Sequence, residues 1–320
     1  MQTVLVAGGA GFIGSHLTKF LLEKGYTVIC IDNLITGNKK NINSLLQNQN
    51  FRYIEADITK DIATILSEVS SIDFIFHLAS PASPNKNSKA SYINKPLETM
   101  LVNSQGTYHL LELAKKWQSR FLFASTSEVY GDPSISPQPE TYWGNVNPTG
   151  IRSVYDEAKR FGEAMTMLYV RTYAIDARII RIFNTYGSYM QPDDGRVVSN
   201  FIMQALQNKP LTIYGNGSQT RSFCYISDMV SAITQAMFVQ EARGSVLNIG
   251  NPDERTVKEL ATMIKEITKS NSEIVYEPLP EDDPKIRKPD ITLAKKLLNW
   301  EPKIAMHEGL EMTIEYFKNI

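Results

Sequence analysis

Tyr155 and Lys159 stand four residues apart in Tyr155-Asp156-Glu157-Ala158-Lys159, a spacing that sets both side chains on one face of a helix. An ammonium beside a phenol favours the phenolate. A phenolate can take the proton of a sugar hydroxyl while the carbon that bears it is oxidised. Tyr-x-x-x-Lys by itself is common on amphipathic helices, so its weight comes from a second stretch. Ser125-Thr126-Ser127-Glu128-Val129-Tyr130-Gly131 follows an apolar run at 120–125 and puts hydroxyls at a strand end. There the Thr126 hydroxyl can complete the proton network of Tyr155. Glu128 offers a carboxylate suited to a base in a partly desolvated cleft, the competing reading being a surface acid on a loop.

Oxidation needs a hydride acceptor, and the N-terminus provides for one. The apolar run Thr3–Ala7 leads straight into Gly8-Gly9-Ala10-Gly11-Phe12-Ile13-Gly14 and then a helical pattern at 13–24. Gly8 permits the tight turn, Gly11 lets backbone approach a pyrophosphate, and Gly14 lets helix and strand pack closely, with the helix N-terminus facing the phosphates. Asp32 ends the next strand, 18 residues after Gly14. An acid there accepts from a ribose diol and repels a 2′-phosphate, which selects NAD over NADP. No Lys-Ser/Thr follows the glycines, so an NTPase loop is excluded. Asp57 has two even readings: the N-cap of the segment after it, or a partner of the adenine amino group.

The elements that must hold these groups alternate. Runs at 27–32, 51–55, 73–79, 120–125 and 177–183 are apolar on both faces and alternate with helical patterns, which predicts an α/β fold built on a doubly wound parallel Rossmann sheet. Long helices are expected at 97–117 and 154–173. Past Asn184 the elements shorten, one strand at 245–249 returns to the sheet, and helices are expected at 257–268 and 306–317. The expected division is a dinucleotide-binding domain of residues 1–183 plus about 226–250. A smaller, discontinuous substrate lobe takes about 184–225 and 251–320, with the site in the cleft between them.

Composition excludes several classes. Lys+Arg 33 against Asp+Glu 34 gives a net charge of −1, with no basic stripe for nucleic acid. No apolar run approaches the ~20 residues of a membrane span. Met1-Gln2 enters the first strand without a basic leader, and two cysteines, Cys30 and Cys224, make no disulfide framework, so a cytoplasmic protein is expected. His16, His77, His109 and His307 are scattered without ligand spacing, and no metal is expected. Cys224 is read as a buried small residue.

The motifs together resemble the extended short-chain dehydrogenase/reductase family of nucleotide-sugar enzymes, and within it the UDP-glucuronate decarboxylase group. The resemblance is carried by 77–84 (HLASPASP), 125–133 (STSEVYGDP), 142–148 (YWGNVNP), 155–160 (YDEAKR), 181–187 (RIFNTYG), 194–201 (DGRVVSNF), 217–225 (GSQTRSFCY) and 282–291 (DDPKIRKPDI). It implies an oxidation triad of Thr126, Tyr155 and Lys159, with Glu128 acting near C5 of the sugar and Arg221 as proton donor or carboxylate partner. It assigns Phe12, Ile13, Asn33, Ile58, Leu78, Ala79, Ser80 and Asn103 to the cofactor beside the glycines, Asp32 and Asp57. Pro81, Ser127, Asn184, Arg196, Tyr225 and Arg287 fall where the family holds a UDP-sugar, for which planar arginine donors suit the diphosphate. The implied reaction oxidises C4, which turns a glucuronate into a β-keto acid that loses CO2; protonation at C5 and return of the hydride give UDP-xylose.

Three features keep a dehydratase acting on UDP-glucose or UDP-N-acetylglucosamine open as the alternative. Residues 85–91 lengthen the loop after Pro84, and Glu98 and Leu101 stand where lysines are expected. Against it, Ser127 occupies the place of the acid that expels the C6 hydroxyl in such enzymes. Glu128 weighs against a simple 4-epimerase, and the intact set of reactive groups against a non-catalytic NAD-binding scaffold. The 97–117 and 154–173 helices are expected to pair between two copies as a four-helix bundle, making a homodimer.

Overall fold

The computed structural model describes residues 1–279 and 286–320; residues 280–285, with the start of the 282–291 motif, lie outside the described residues. Seven strands form the central sheet: β1 Thr3–Ala7, β2 Thr27–Asp32, β3 Phe51–Glu55, β4 Phe74–His77, β5 Arg120–Thr126, β6 Ala177–Ile182 and β7 Val246–Ile249. They run in the order β7-β6-β5-β4-β1-β2-β3 with every pairing parallel. The order reverses between β1 and β4, which opens a crevice at the carboxyl ends of the strands.

Alternation along each strand feeds two cores. Val4, Val6, Val28, Cys30, Phe76 and Leu122 face one layer, while Leu5, Ile29, Ile31, Ile75, Phe121 and Phe123 face the other. Both faces being buried is why the strands read as nearly unbroken apolar runs. The helix Phe12–Glu23 and the helix Ile226–Phe238 cover the first face; Thr107–Trp117 and Ser153–Tyr173 cover the second.

Gly162 decides how closely the Ser153–Tyr173 helix, which carries Tyr155 and Lys159, approaches β5. A Cβ at Gly162 would lie 2.3 Å from Cζ of Phe123. Glycine inside a helix costs about 1 kcal/mol relative to alanine. Here it is the residue that seats the Tyr155 face against the strand ending in Thr126.

The helix expected over 97–117 is interrupted. It runs Pro96–Leu101, then one wide π turn at Val102–Gly106, then Thr107–Trp117. In that wide turn Asn103 Nδ2 donates to Ser80 Oγ at 2.8 Å and to the Thr99 carbonyl at 2.9 Å. Past residue 184 the chain also holds two helices beyond those expected, Val197–Leu206 and Ile226–Phe238. Both are largely buried, and the second keeps a polar stripe of Ser227, Ser231 and Gln235 at i, i+4 spacing on its outer side.

The remaining strands are short. Thr185–Tyr186 pairs with Cys224–Tyr225, and Leu211–Tyr214 with Ile274–Glu277. Thr220–Ser222 lies between Glu254–Thr256 and Ile286–Arg287, in a register that sets Arg221 opposite both Arg255 and Arg287. Cys30 and Cys224 are buried and unbonded to each other, and no helix among the described residues is long and apolar enough to cross a membrane.

Candidate active site

A cavity of about 1100 Å³ occupies the crevice at the carboxyl ends of the sheet strands. Its sheet side is made by the loops after β1, β2, β3, β4 and β5, and its far side by residues around Asn184, Arg196, Arg221 and Arg287.

The glycine turn shapes the first part. Gly8 has φ +84°, and a Cβ there would meet the Ala79 amide nitrogen at 2.6 Å. A Cβ on Gly14 would lie 2.0 Å from the Gly8 carbonyl oxygen, so the helix can start against the turn only with glycine at that position. Gly11 precedes the helix Phe12–Glu23 without a side-chain cap, which leaves the first-turn amides to whatever the cavity binds.

Asp32 is buried, accepting from the Ala10 amide at 2.9 Å and the Leu34 amide at 2.8 Å. Burial raises its carboxyl above the ordinary range, while those two amides pull it back. Each of its oxygens keeps a second lone pair for a ribose hydroxyl. Asn33, Ile58, Leu78, Ala79 and Ser80 line the same part. Asp57 lines it too, and its Oδ1 accepts from the Thr59 amide at 2.9 Å; the N-cap of the next helix is Asp61 instead. A narrow glycine cradle, open helix amides and a carboxylate at the end of β2 fit a dinucleotide.

Two groups assigned from sequence do not line the cavity. Asn103 is fully buried behind Ser80 and positions that hydroxyl. Tyr225 is buried with its ring edge-on to Tyr186, 5.5 Å between centroids, just ahead of the helix Ile226–Phe238. Its side chain points into the core because it sits at the end of the short strand paired with Thr185–Tyr186.

Thr126, Tyr155 and Lys159 converge at the carboxyl end of β5. Burial pushes the Tyr155 phenol up to about 12, opposed by its hydrogen bond with Thr126. Lys159 is also buried; desolvation lowers its ammonium to about 7, with Glu163 acting the other way. Its Nζ donates to the Ala124 carbonyl at 2.8 Å and lies 5.9 Å from the Tyr155 ring centroid. The expected lowering of the phenol by Lys159 is therefore not built into this arrangement: an ammonium in a dry site takes the strand carbonyl as acceptor.

Tyr92, unmarked in the sequence reading, stacks on Tyr155 with 4.8 Å between centroids and 5° between planes. Behind the triad, Ser125 Oγ donates to Glu163 at 2.6 Å. Arg181 holds both oxygens of Glu163, at 2.9 and 2.8 Å, and donates to the Tyr130 hydroxyl. This buried network locks the end of β5 to β6 and to the helix of Tyr155.

Glu128 sits among arginines. Its Oε2 accepts from Arg152 Nη2 and from Arg287 Nη2, the latter at 3.3 Å, and Ser127 Oγ reaches its Oε1 at 3.3 Å. Burial alone would raise this carboxyl, but Arg287, Arg152 and Arg221 outweigh burial and hold it down at about 2. Arg287 is 1% exposed, and its Nε and Nη1 have no hydrogen-bond partner among the described residues. Two buried guanidinium donors beside an open cavity are suited to a ligand anion.

Arg152 is a second residue the sequence reading missed; its position three residues before Tyr155 is the one signal that could have found it. Arg196 lines the cavity with its Nε on Asp194 Oδ2 at 2.6 Å. Glu98 and Leu101 line it as well, and cations come instead from Lys86, Arg152, Arg196, Arg221 and Arg287.

Comparison with known proteins agrees with this geometry. Residues 5–313 match the family model described as GDP-mannose 4,6 dehydratase. The chain is 47% identical over 316 residues to UDP-glucuronic acid decarboxylase 1 of Danio rerio, covering 99% of this chain and 72% of that protein. It is 50% identical over 315 residues to UDP-glucuronic acid decarboxylase 2 of Arabidopsis thaliana, covering 98% of this chain and 68% of that one.

Among solved structures, UDP-glucuronic acid 4-epimerase from Bacillus cereus, in complex with UDP-glucuronic acid and NAD, superimposes with a TM-score of 0.87 at 31% identity, over 99% of each chain. UDP-glucose 4-epimerase from Thermotoga maritima, with UDP-glucose, gives 0.90 at 34%, again over 99% of each. A seven-stranded parallel sheet, a dinucleotide cradle and this depth of similarity have one explanation: the chain belongs to the extended short-chain dehydrogenase/reductase family of NAD-dependent nucleotide-sugar epimerases and dehydratases, alongside the UDP-glucuronic acid decarboxylases.

Proposed function

We propose that the chain is an NAD-dependent UDP-glucuronate decarboxylase that converts its substrate to UDP-xylose and CO2. The observation that carries this reading is the set of arginines around Glu128, opening beside the Thr126–Tyr155 pair. A uronate brings a carboxylate of its own to that place, and a neutral hexose does not. Similarity to decarboxylases along nearly the whole chain supports the same reading.

Gly8, Gly11, Gly14, Asp32 and their neighbours would hold NAD, which would supply the hydride acceptor at C4 and the donor that restores C4. The chain's own groups do the rest. Tyr155, hydrogen-bonded to Thr126, takes the C4 hydroxyl proton. Lys159, on the same helix face as Tyr155, would hold a nicotinamide ribose, and its charge would favour the tyrosinate. Once C4 is a ketone, the C6 carboxyl belongs to a β-keto acid and the C5–C6 bond breaks with loss of CO2. Glu128, held ionised, enters as a carboxylate. Arg221 and Arg152 stabilise the charge that develops on the sugar, and Asn184, Arg196 and Arg287 hold the diphosphate end.

On this reading residues 1–183 with about 226–250 serve the cofactor, and about 184–225 with 251–320 serve the sugar. Cytoplasmic residence is supported by two buried, unbonded cysteines.

The test is mass spectrometry of the protein with NAD and UDP-glucuronate, UDP-glucose or UDP-N-acetylglucosamine in separate reactions. Loss of CO2 from the uronate alone is expected. Loss of water from a neutral sugar instead would establish a dehydratase.

We also infer a homodimer. Met100 and Tyr108 are exposed on one helical segment, and Phe161 and Leu168 on the neighbouring helix. Together they form an apolar face suited to a four-helix contact with a second copy. Light scattering at low protein concentration should give twice the chain mass; a monomer alone would refute the dimer.

A further inference from the structure

Residues 83–94 leave the β4 side of the cavity and return to it as a closed loop. The Tyr92 amide donates to the Ser83 carbonyl at 3.1 Å, and Ser91 Oγ donates to the same oxygen at 2.9 Å. Asn94 Nδ2 joins the Lys86 and Ser88 carbonyls at 2.7 and 2.9 Å, and the Ser88 and Ser91 side chains are buried inside. Ends that meet and an interior packed by the loop's own groups describe a preformed loop with one conformation.

The loop crosses the cleft. Ser83 Oγ donates to the Asp194 carbonyl on the opposite wall. Gly195, with φ +80°, receives the Asn85 side chain so closely that a Cβ on Gly195 would lie 2.2 Å from Asn85 Cβ. Asn85, Lys86, Asn87 and Ala90 face the cavity, and the loop then delivers Tyr92 onto the ring of Tyr155. A segment of the sheet domain is thus tied to the residues just before Arg196, over the space that holds the reacting sugar.

Decarboxylation makes such a tie useful, an argument that rests on the function proposed above. Oxidation removes a hydride from C4 and a proton from its hydroxyl, the C5–C6 bond breaks to release CO2, and C5 gains a proton. The sugar at that stage is a neutral 4-keto pentose that has lost the carboxylate the arginines could hold. Its diphosphate and the walls of the site are what keep it until the hydride returns to C4. If it leaves early, the product is UDP-4-keto-pentose and one reduced nicotinamide stays with the protein for each ketone released.

We propose that residues 83–94 are a strap that retains the 4-keto intermediate, fastened across the cleft by Ser83 to Asp194 and by Asn85 against Gly195, so that the strap sets the ratio of UDP-xylose to escaped ketone.

Two variants loosen the fastening at different points. Ser83→Ala removes the one hydrogen bond that Ser83 makes across the cleft, together with the one its Oγ accepts from the Asn85 amide at 3.2 Å; Gly195→Ala forces the two walls apart. With UDP-glucuronate and NAD, the ratio of UDP-4-keto-pentose to UDP-xylose by mass spectrometry should rise about fivefold in Ser83→Ala, the scale of one lost hydrogen bond. A larger rise is expected in Gly195→Ala. Nicotinamide absorbance should rise in step with the ketone, one for one.

Gly195→Ala can fail to fold because of its left-handed backbone; Ser83→Ala then carries the test alone. A slower reaction at the wild-type product ratio, or an unchanged ratio in folded Ser83→Ala, would overturn the strap. Absence of CO2 from the wild-type protein would overturn the decarboxylase reading instead.

Discussion

Replacing Tyr155 by Phe should lower turnover of UDP-glucuronate by about 1000-fold, within the range that a positioned general base contributes. The variant loses one oxygen, the one hydrogen-bonded to Thr126 and aimed at by no other acid or base of the triad. The ring is 6% exposed and keeps its stack with Tyr92 at 4.8 Å, so packing is retained. Binding should survive: substrate affinity measured by calorimetry should stay within a few-fold of wild type. No nicotinamide absorbance should appear on mixing with substrate and NAD, because C4 oxidation is the step that fails. A variant that reduces NAD at the wild-type rate would remove Tyr155 from the proton network.

Glu128→Gln should behave differently on both chemistry and stability. Oxidation at C4 is expected to continue, so reduced nicotinamide should accumulate while UDP-xylose formation falls about 100-fold, the range for loss of one preorganised electrostatic group. Normal turnover would show that Glu128 has no part in the reaction.

The stability effect follows from charge. The carboxylate of Glu128 neutralises Arg152 and Arg287 in a site where its own side chain is 17% exposed. Removing one partner of such a buried group costs on the order of 3 kcal/mol. The carboxyl is held at about 2 in the folded protein against an ordinary 4.5. Its folded value lies below its unfolded one, so its contribution is complete above about pH 4.5 and is lost as pH falls toward 2. Denaturant unfolding should therefore show a gap between wild type and Glu128→Gln that narrows between pH 7 and pH 4, by on the order of 1 kcal/mol. A gap that widens in acid would contradict the ion-pair account.

Much of the site is legible in the chain because its parts are local. The glycine turn, the acid at the end of β2, Thr126 at the end of β5 and the Tyr155–Lys159 pair each lie within one strand–turn–helix unit, and parallel strands bring all those units to the same edge. Regular helices covering both faces left the apolar runs of β1, β2, β4, β5 and β6 readable for the same reason. Tyr225 and Asn103 lie just behind the cavity wall, because family position says which segment is near a ligand, and the strand or helix phase says which way the side chain points.

The sequence by itself determined the parallel α/β sheet, the dinucleotide cradle and the identity of the reactive groups, all of which follow from spacing within a few residues. Only the tertiary structure decided their electrostatic state. Glu128 is ionised because Arg152, Arg221 and Arg287 reach it from three other parts of the chain, two of them aligned by the register of Thr220–Ser222 with Ile286–Arg287. Lys159 turns to the Ala124 carbonyl, and Tyr92 lies on Tyr155 because residues 83–94 close across the cleft. Charge and desolvation act through distance in space, and distances between remote residues are set by strand register and packing, which no local pattern records.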